Sequence, residues 1–117
     1  MRLFAALVLV FVAGIVPPGR AAELRCEIAT KNACGETGCR PGNITVWNLI
    51  DLEARRYSRC DRKSCDHYPA NISVSGLFYN IAVPERGMLA KLSQDGLMFV
   101  EVVTLGTIVL VSHGSCR

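Results

Sequence analysis

Apolar and polar side chains alternate with a period of two along much of the chain after residue 22. In the segment 68–75, apolar residues occupy the even positions, and Asn71, Ser73 and Ser75 occupy odd ones. This period is typical of a β-strand with one buried and one wet face. No segment after residue 22 shows a sustained helical period, so the pattern predicts an all-β domain.

Turn residues divide this part of the chain into eight predicted strands. Proline, glycine and asparagine or aspartate mark the breaks, most clearly at Pro84–Gly87, Gln94–Gly96 and Leu105–Gly106. The predicted strands cover residues 23–30, 44–50, 54–60, 68–75, 77–83, 88–93, 97–104 and 107–113. The segment 31–42 is rich in turn residues, and we expect any short helix to lie there.

The connections between these strands are short, and short connections join only antiparallel neighbours. An up-and-down meander removes its exposed edges by closing on itself. The sequence therefore predicts a small antiparallel barrel or curled meander of about eight strands. A two-sheet sandwich is the alternative.

The first residues have the pattern of an export signal. Arg2 precedes an apolar segment, residues 3–16, and Pro17-Pro18 leads to the small residues Gly19 and Ala21. Roughly 14 apolar residues are fewer than the ~20 that a membrane-spanning helix needs. We expect a cleaved signal peptide over 1–21, a single β domain over 22–117, and no membrane span after cleavage. The expected location is the periplasm or the medium.

The charge balance of the mature domain is close to neutral. The whole chain has 13 Lys and Arg against 10 Asp and Glu, and loss of Arg2 and Arg20 leaves 13 − 2 = 11 against 10. A nucleic-acid-binding domain carries a strong positive excess, so we expect no nucleic-acid partner.

All six cysteines lie in the predicted mature domain. An even number in a short exported chain indicates three disulfides. The sequence alone does not fix the pairing, but locality favours Cys26–Cys116, Cys34–Cys39 and Cys60–Cys65. A zinc site with His67 or His113 is the alternative, although the chain has no C-x2-C pair. We expect no metal and no cofactor.

No motif indicates catalysis. The serines lie outside any G-x-S-x-G elbow, and the spacing of the acidic residues selects no carboxylate pair. The sequence therefore predicts a non-enzymatic binding or structural protein of the envelope. A small hydrolase with an unrecognised site is the alternative.

The clearest candidate binding region is a basic segment around the fourth and fifth cysteines. We expect Arg55 and Arg59 to project with Tyr57 from one strand face, beside a positive tip between Cys60 and Cys65. The candidate binding residues of this segment are Arg55, Tyr57, Arg59, Arg62 and Lys63. Such a tip suits an acidic protein, an anionic envelope polymer or lipid head groups. The alternative is a solvated face whose charges are offset by neighbouring acids.

Glu101 has two interpretations because both faces of its predicted strand are apolar. Either Glu101 faces water, with Val100 and Val102 in the core, or it lies among core side chains. A buried carboxylate needs a partner, and Lys91 on the preceding strand is the candidate.

Segments of the sequence resemble two known groups of proteins. The segment 57–65 and the ending FVEVVTLGTIVLVSHGSC resemble small exported bacterial proteins of uncharacterised function. The motif Ser75-Gly76-Leu77-Phe78-Tyr79 is similar to the S-G-x-x-Y motif of the periplasmic inhibitors of C-type lysozyme, which are also small antiparallel barrels. This second resemblance implies that Ser75 and Tyr79 lie on an inhibitory surface.

Overall fold

A computed structural model describes residues 23–117. The predicted signal peptide over 1–21 lies outside the described residues.

The described chain is built almost entirely from β-strands. The strands are β1 (Glu23–Gly35), β2 (Gly38–Pro41), β3 (Trp47–Asp51), β4 (Arg56–Cys60), β5 (Cys65–Pro69), β6 (Asn71–Ser75), β7 (Phe78–Val83), β8 (Met88–Ser93), β9 (Phe99–Leu105) and β10 (Ile108–Cys116). A single 3-10 turn, Pro84–Arg86, joins β7 to β8. Within residues 23–117 there is no α-helix.

All strand pairs are antiparallel, and they form one sheet. Its order is β5-β4-β3-β1-β10-β9-β8-β7-β6, and β2 pairs with the far end of β1. The outermost strands, β5 and β6, are consecutive in the chain and are separated only by Ala70. One bent stretch of chain therefore joins the two ends of the sheet, and the result is a nearly closed antiparallel barrel. The predicted fold class is confirmed.

The strand count is ten rather than eight because two further segments form separate strands. Residues 38–41 form β2, which pairs with β1 where β1 extends to Gly35 and also pairs with β10. Residues 65–69 form β5, which pairs with β4. The expectation that any short helix would lie between 31 and 42 is wrong, because the 3-10 turn is at Pro84–Arg86 and pairing of β1 with β10 and β2 keeps the turn-rich segment extended.

Each disulfide joins two residues that face each other directly in the sheet. The bonds are Cys26–Cys116, Cys34–Cys39 and Cys60–Cys65, the pairing that locality favours. The first links β1 to β10, and the other two close the β1–β2 and β4–β5 turns. No free cysteine remains among the described residues.

The barrel interior is filled by side chains from nearly every strand. Large members of this core are Ile50, Tyr57, Ile81, Leu92 and Phe99, all buried. Alternate residues of each strand point outward, as the period of two predicts.

The antiparallel order places the turns at two opposite ends of the barrel. We call one the upper end: it contains the β1–β2 hairpin, the turn 61–64, the 3-10 turn and the β9–β10 turn. The lower end contains the turns 52–55, 76–77 and 94–98. This division decides which of the predicted site residues can act together.

Candidate binding site

A buried polar network crosses the barrel interior. The Oε2 atom of Glu101 accepts a hydrogen bond from the Tyr57 hydroxyl at 2.8 Å and another from Asn48 Nδ2 at 2.6 Å. The Tyr57 hydroxyl also lies 3.1 Å from Asn48 Oδ1. These residues belong to β9, β4 and β3, and β1 and β10 separate β3 from β9 in the sheet. The bonds therefore connect opposite walls of the barrel.

Glu101 is only 9% exposed, so its water-facing interpretation is wrong. Val100 and Val102 point outward instead, onto an outer surface that is itself apolar in this region. Lys91 is not the partner of Glu101, because it pairs with Val100 and lies on the outer face of β8.

Burial determines the protonation chemistry of this network. Burial raises the pKa of Glu101, and it does so against the hydrogen bond from Tyr57 and the nearby charge of Lys31, which lower it. Burial, followed by the charge of Glu101, raises the pKa of Tyr57 far above its ordinary value. Tyr57 therefore remains a hydrogen-bond donor at any physiological pH.

A small cavity of about 50 Å³ lies beside the network. Its wall contains the network residues Asn48 and Glu101 together with three cations, Lys31, Arg59 and Arg86. These cations come from β1, β4 and the 3-10 turn. Barrel closure thus brings together charges that are far apart in the sequence.

A larger surface groove of about 690 Å³ adjoins this cavity. Trp47, Ile44 and Val46 line it together with the cations Arg59, Arg62 and Lys63. Ile44, Val46 and Arg59 line both the groove and the cavity. The guanidinium of Arg25 lies 4.6 Å from the centre of the Trp47 ring, which supports that ring.

The turn that carries Arg62 and Lys63 is rigidly built. One carboxylate oxygen of Asp61, Oδ1, accepts hydrogen bonds from the backbone N–H groups of Lys63 and Ser64, at 2.8 and 3.0 Å. These bonds, that of Ser64 first, lower the pKa of Asp61. The Cys60–Cys65 disulfide closes the same turn. Asp61 is therefore occupied within its own turn, and the two cations extend from a fixed base.

We call the five cations around this opening the basic mouth: Lys31, Arg59, Arg62, Lys63 and Arg86. In the part of the chain that the structure describes, the ion pairs are Arg25–Glu27, Arg56–Glu23 and Arg56–Asp51, and none involves the basic mouth. Glu27 and Asp61 also line the groove and Glu101 lines the cavity, so five cations face three acids around the opening. This local excess of positive charge attracts anions.

The predicted basic segment does not form one surface. Arg59, Arg62 and Lys63 lie together at the upper end, as expected for a stapled tip. Arg55 lies at the lower end in the β3–β4 turn, with a φ of 53°, and its Nη1 atom donates to the Ile72 carbonyl. Tyr57 is 2% exposed and belongs to the interior, so its predicted surface position is wrong. The reason is that Tyr57 pairs with the buried Ile50 on the inner face.

The other predicted residues are dispersed. Ser75 is exposed at the lower end of β6, and Tyr79 is partly buried against the core. His113 points outward from β10. His67 lies on β5, where its Nδ1 atom is 2.6 Å from the hydroxyl of the buried Ser58. None of them lines the cavity or the groove of the basic mouth.

Three residues of the site were missed from the sequence: Lys31, Asn48 and Arg86. Asn48 alternates with Ile50, so it shares the inner face of a predicted strand, and that signal was available. Lys31 and Arg86 carry no such signal, because the strand order of the sheet places Lys31 near Arg59 and closure of the sheet adds Arg86.

Neither a metal centre nor a membrane helix is evident between residues 23 and 117. No group of three or more His, Cys, Asp or Glu residues there is arranged to hold a metal ion. No helix in that range is long and apolar enough to cross a membrane. Comparison with protein-family models, with curated proteins and with solved structures finds no significant match.

Proposed function

We propose that this chain is a non-enzymatic exported binding protein, and that its basic mouth binds an anionic partner. The observation that carries the proposal is the arrangement of five cations without an ion-pair partner around a cavity and an adjoining groove with an aromatic wall, where they outnumber the acids Glu27, Asp61 and Glu101. The mature domain is nearly neutral overall, so this local concentration of positive charge is a property of the fold rather than of composition.

The way the site is built supports binding at a preformed surface. The network of Asn48, Tyr57 and Glu101 braces the barrel beneath Arg59, and a disulfide fixes the neighbouring tip. A rigid site loses little conformational entropy when it binds. Three disulfides in so small a domain also support an oxidising, exported location.

The alternative hypothesis, that the protein is a hydrolase, has less support. An active site needs a nucleophile, a base and an orienting group within reach of one another. The polar residues from which such a site would be made, namely Ser75, Tyr79, Glu101, His67 and His113, are distributed between the interior, two outer faces and the lower end. The Ser58–His67 pair does not replace them, because the Ser58 hydroxyl is buried.

Removing the positive charges of Arg59, Arg62 and Lys63, at the tip closed by the Cys60–Cys65 disulfide, tests this proposal. The variant Arg59→Gln/Arg62→Gln/Lys63→Gln is expected to bind a soluble polyanion, such as heparin or polyglutamate, about tenfold more weakly than wild type. Three charge contacts of roughly 0.5 kcal/mol each, two from exposed side chains and one from the partly buried Arg59, give ~1.5 kcal/mol, which corresponds to that factor. Wild-type binding should also weaken as salt is added. Isothermal titration calorimetry at two ionic strengths measures both effects.

A matched control removes the same charge elsewhere. The variant Arg55→Gln/Lys91→Gln/Arg117→Gln has the same net charge as the tip variant, but its changes lie away from the groove. It should bind like wild type. Equal weakening by both variants would show that only net charge matters, and the basic mouth would not be the binding site.

The lysozyme-inhibitor resemblance concerns a different surface. Its residues, Ser75 and Tyr79, lie on the strands that flank the lower turn 76–77, whereas the 3-10 turn with Arg86 lies at the other end of β7. A partner bound at Ser75 would leave the basic mouth free. The tip variant therefore separates the two: it should leave any lysozyme inhibition unchanged.

A further inference from the structure

We propose that the anionic partner is a lipid bilayer surface, onto which the upper end of the barrel docks. This inference rests on the proposed function, since the basic mouth supplies the attraction. It adds a second contribution, from apolar side chains at the same end, which would enter the head-group region of the bilayer.

Three large apolar side chains at the upper end are exposed to solvent. Leu105 and Ile108 flank the Gly106-Thr107 turn between β9 and β10, and they are 51% and 46% exposed. Ile44, in the loop before β3, is 46% exposed. We call these residues the apolar rim. Side chains that are about half exposed leave much of their apolar area outside the core and available for contact.

The apolar rim and the basic mouth surround the same opening. Ile44 and Leu105 line the small cavity together with Lys31, Arg59 and Arg86. Ile108 lines another groove, which contains one exposed cation, Arg40, and one exposed acid, Glu36. Cations interspersed with apolar side chains are the composition of surfaces that lie in the interface of an anionic membrane.

The combination favours a bilayer over a soluble polyanion. A soluble polymer or an acidic protein surface would be attracted by the cations alone and would gain little from Leu105 and Ile108 at a convex turn. A bilayer offers acidic head groups at its surface and hydrocarbon just below, so it uses both parts of this end. Neither part is sufficient alone, because stable peripheral binding generally needs two signals.

The lower end provides an internal comparison. It also has exposed apolar side chains, Leu77 and Leu97, which are 75% and 72% exposed. Their surroundings differ: Asp95 lies in the same turn as Leu97, and its pKa is lowered by hydrogen bonds from Ser93 and the Leu97 N–H. Exposed apolar area is thus present at both ends, whereas the cluster of unpaired cations is at the upper end.

Co-sedimentation with vesicles tests the proposal. The protein over residues 22–117 should sediment with vesicles of phosphatidylglycerol and phosphatidylcholine, and not with vesicles of phosphatidylcholine alone. The variant Leu105→Ser/Ile108→Ser should bind the anionic vesicles at least about tenfold more weakly, since it removes apolar area and leaves every charge in place. Its binding to a soluble polyanion should be unchanged.

The matched control is Leu77→Ser/Leu97→Ser, which removes comparably exposed leucines from the lower end and should bind vesicles like wild type. Equal weakening by both pairs, or no weakening by Leu105→Ser/Ile108→Ser, would overturn docking by the upper end. Wild type that binds the soluble polyanion but not the anionic vesicles would overturn the bilayer while leaving the proposed function intact. Binding to neither would overturn both. Because all four substituted side chains are exposed, thermal unfolding should show each variant folded.

Discussion

Replacing Cys26 and Cys116 together by alanine is expected to lower the free energy of unfolding by about 4.5 kcal/mol. These cysteines are 90 positions apart in the chain and join β1 to β10. Their bond restricts nearly the whole unfolded domain, and the loss of chain entropy grows with the length of the closed loop. Urea unfolding of oxidised wild type and variant at 25 °C measures the difference.

The short bridges provide the control. Cys34 and Cys39 are only 5 positions apart, so the variant Cys34→Ala/Cys39→Ala should lose about 2 kcal/mol. Each variant removes one disulfide between directly paired strands. The larger expected loss combines the longer loop with the burial of Cys26 and Cys116, which belong to the core, whereas Cys34 and Cys39 do not. Equal losses would show that the end-to-end bridge does not act through chain entropy.

Replacing Glu101 by alanine is the second large effect, and we expect a loss of about 3 kcal/mol of unfolding free energy. The change removes the acceptor for Tyr57 and Asn48 and leaves an interior cavity. A buried donor without an acceptor is costly, and these bonds connect opposite walls of the barrel. Replacing the exposed Glu85 by alanine should change stability by no more than about 0.5 kcal/mol. A similarly small change for Glu101→Ala would contradict the network.

A second variant, Glu101→Gln, separates hydrogen bonding from charge. Its amide oxygen can accept both bonds, but the side chain does not titrate. Folding raises the pKa of Glu101. The protonated acid therefore makes its whole contribution to the free energy of unfolding below the unfolded pKa of about 4.3. This contribution is lost as pH rises through the folded pKa. As the pH rises from 4 to 8, urea unfolding should show the free energy of unfolding of wild type falling relative to that of Glu101→Gln. A rise of wild type relative to the variant would contradict a raised pKa.

The fold class could be predicted because each local signal agreed with the others. Alternation at 68–75, proline at 84 and the Asp95-Gly96 pair all indicated strands joined by short turns. Short turns leave only antiparallel neighbours, and closure follows from the need to cover edges. Only the last two residues of β5 were predicted, as the start of the segment 68–75, because Cys65, Asp66 and His67 show no apolar alternation.

The inward face of β9 could not be predicted, because Phe99 and Val103 on one face are as apolar as Val100 and Val102 on the other. The register with β8 decides it: Glu101 faces Ala90, which is buried, and Val100 faces Lys91, which is exposed. A local pattern contains no information about this pairing.

Only those residues of the site that are close together in the sequence could be predicted to act together. Arg59, Arg62 and Lys63 are close in the sequence and remain close in the fold. Lys31 joins them because β1 lies two strands from β4 in the sheet, whereas Arg86, in the 3-10 turn, joins them only when the sheet closes. Conversely, Arg55 was grouped with Arg59 by proximity in the sequence, although one strand length separates them and places them at opposite ends.

Hydrogen–deuterium exchange with and without bound anionic vesicles locates the contact surface without any substitution. Docking by the upper end should slow exchange in the segments 42–46, 61–64 and 105–108. Exchange in the lower turns 76–77 and 94–98 should be unchanged. Slower exchange confined to those lower turns would contradict docking by the upper end, since the contact would then lie at the end of the barrel opposite the basic mouth.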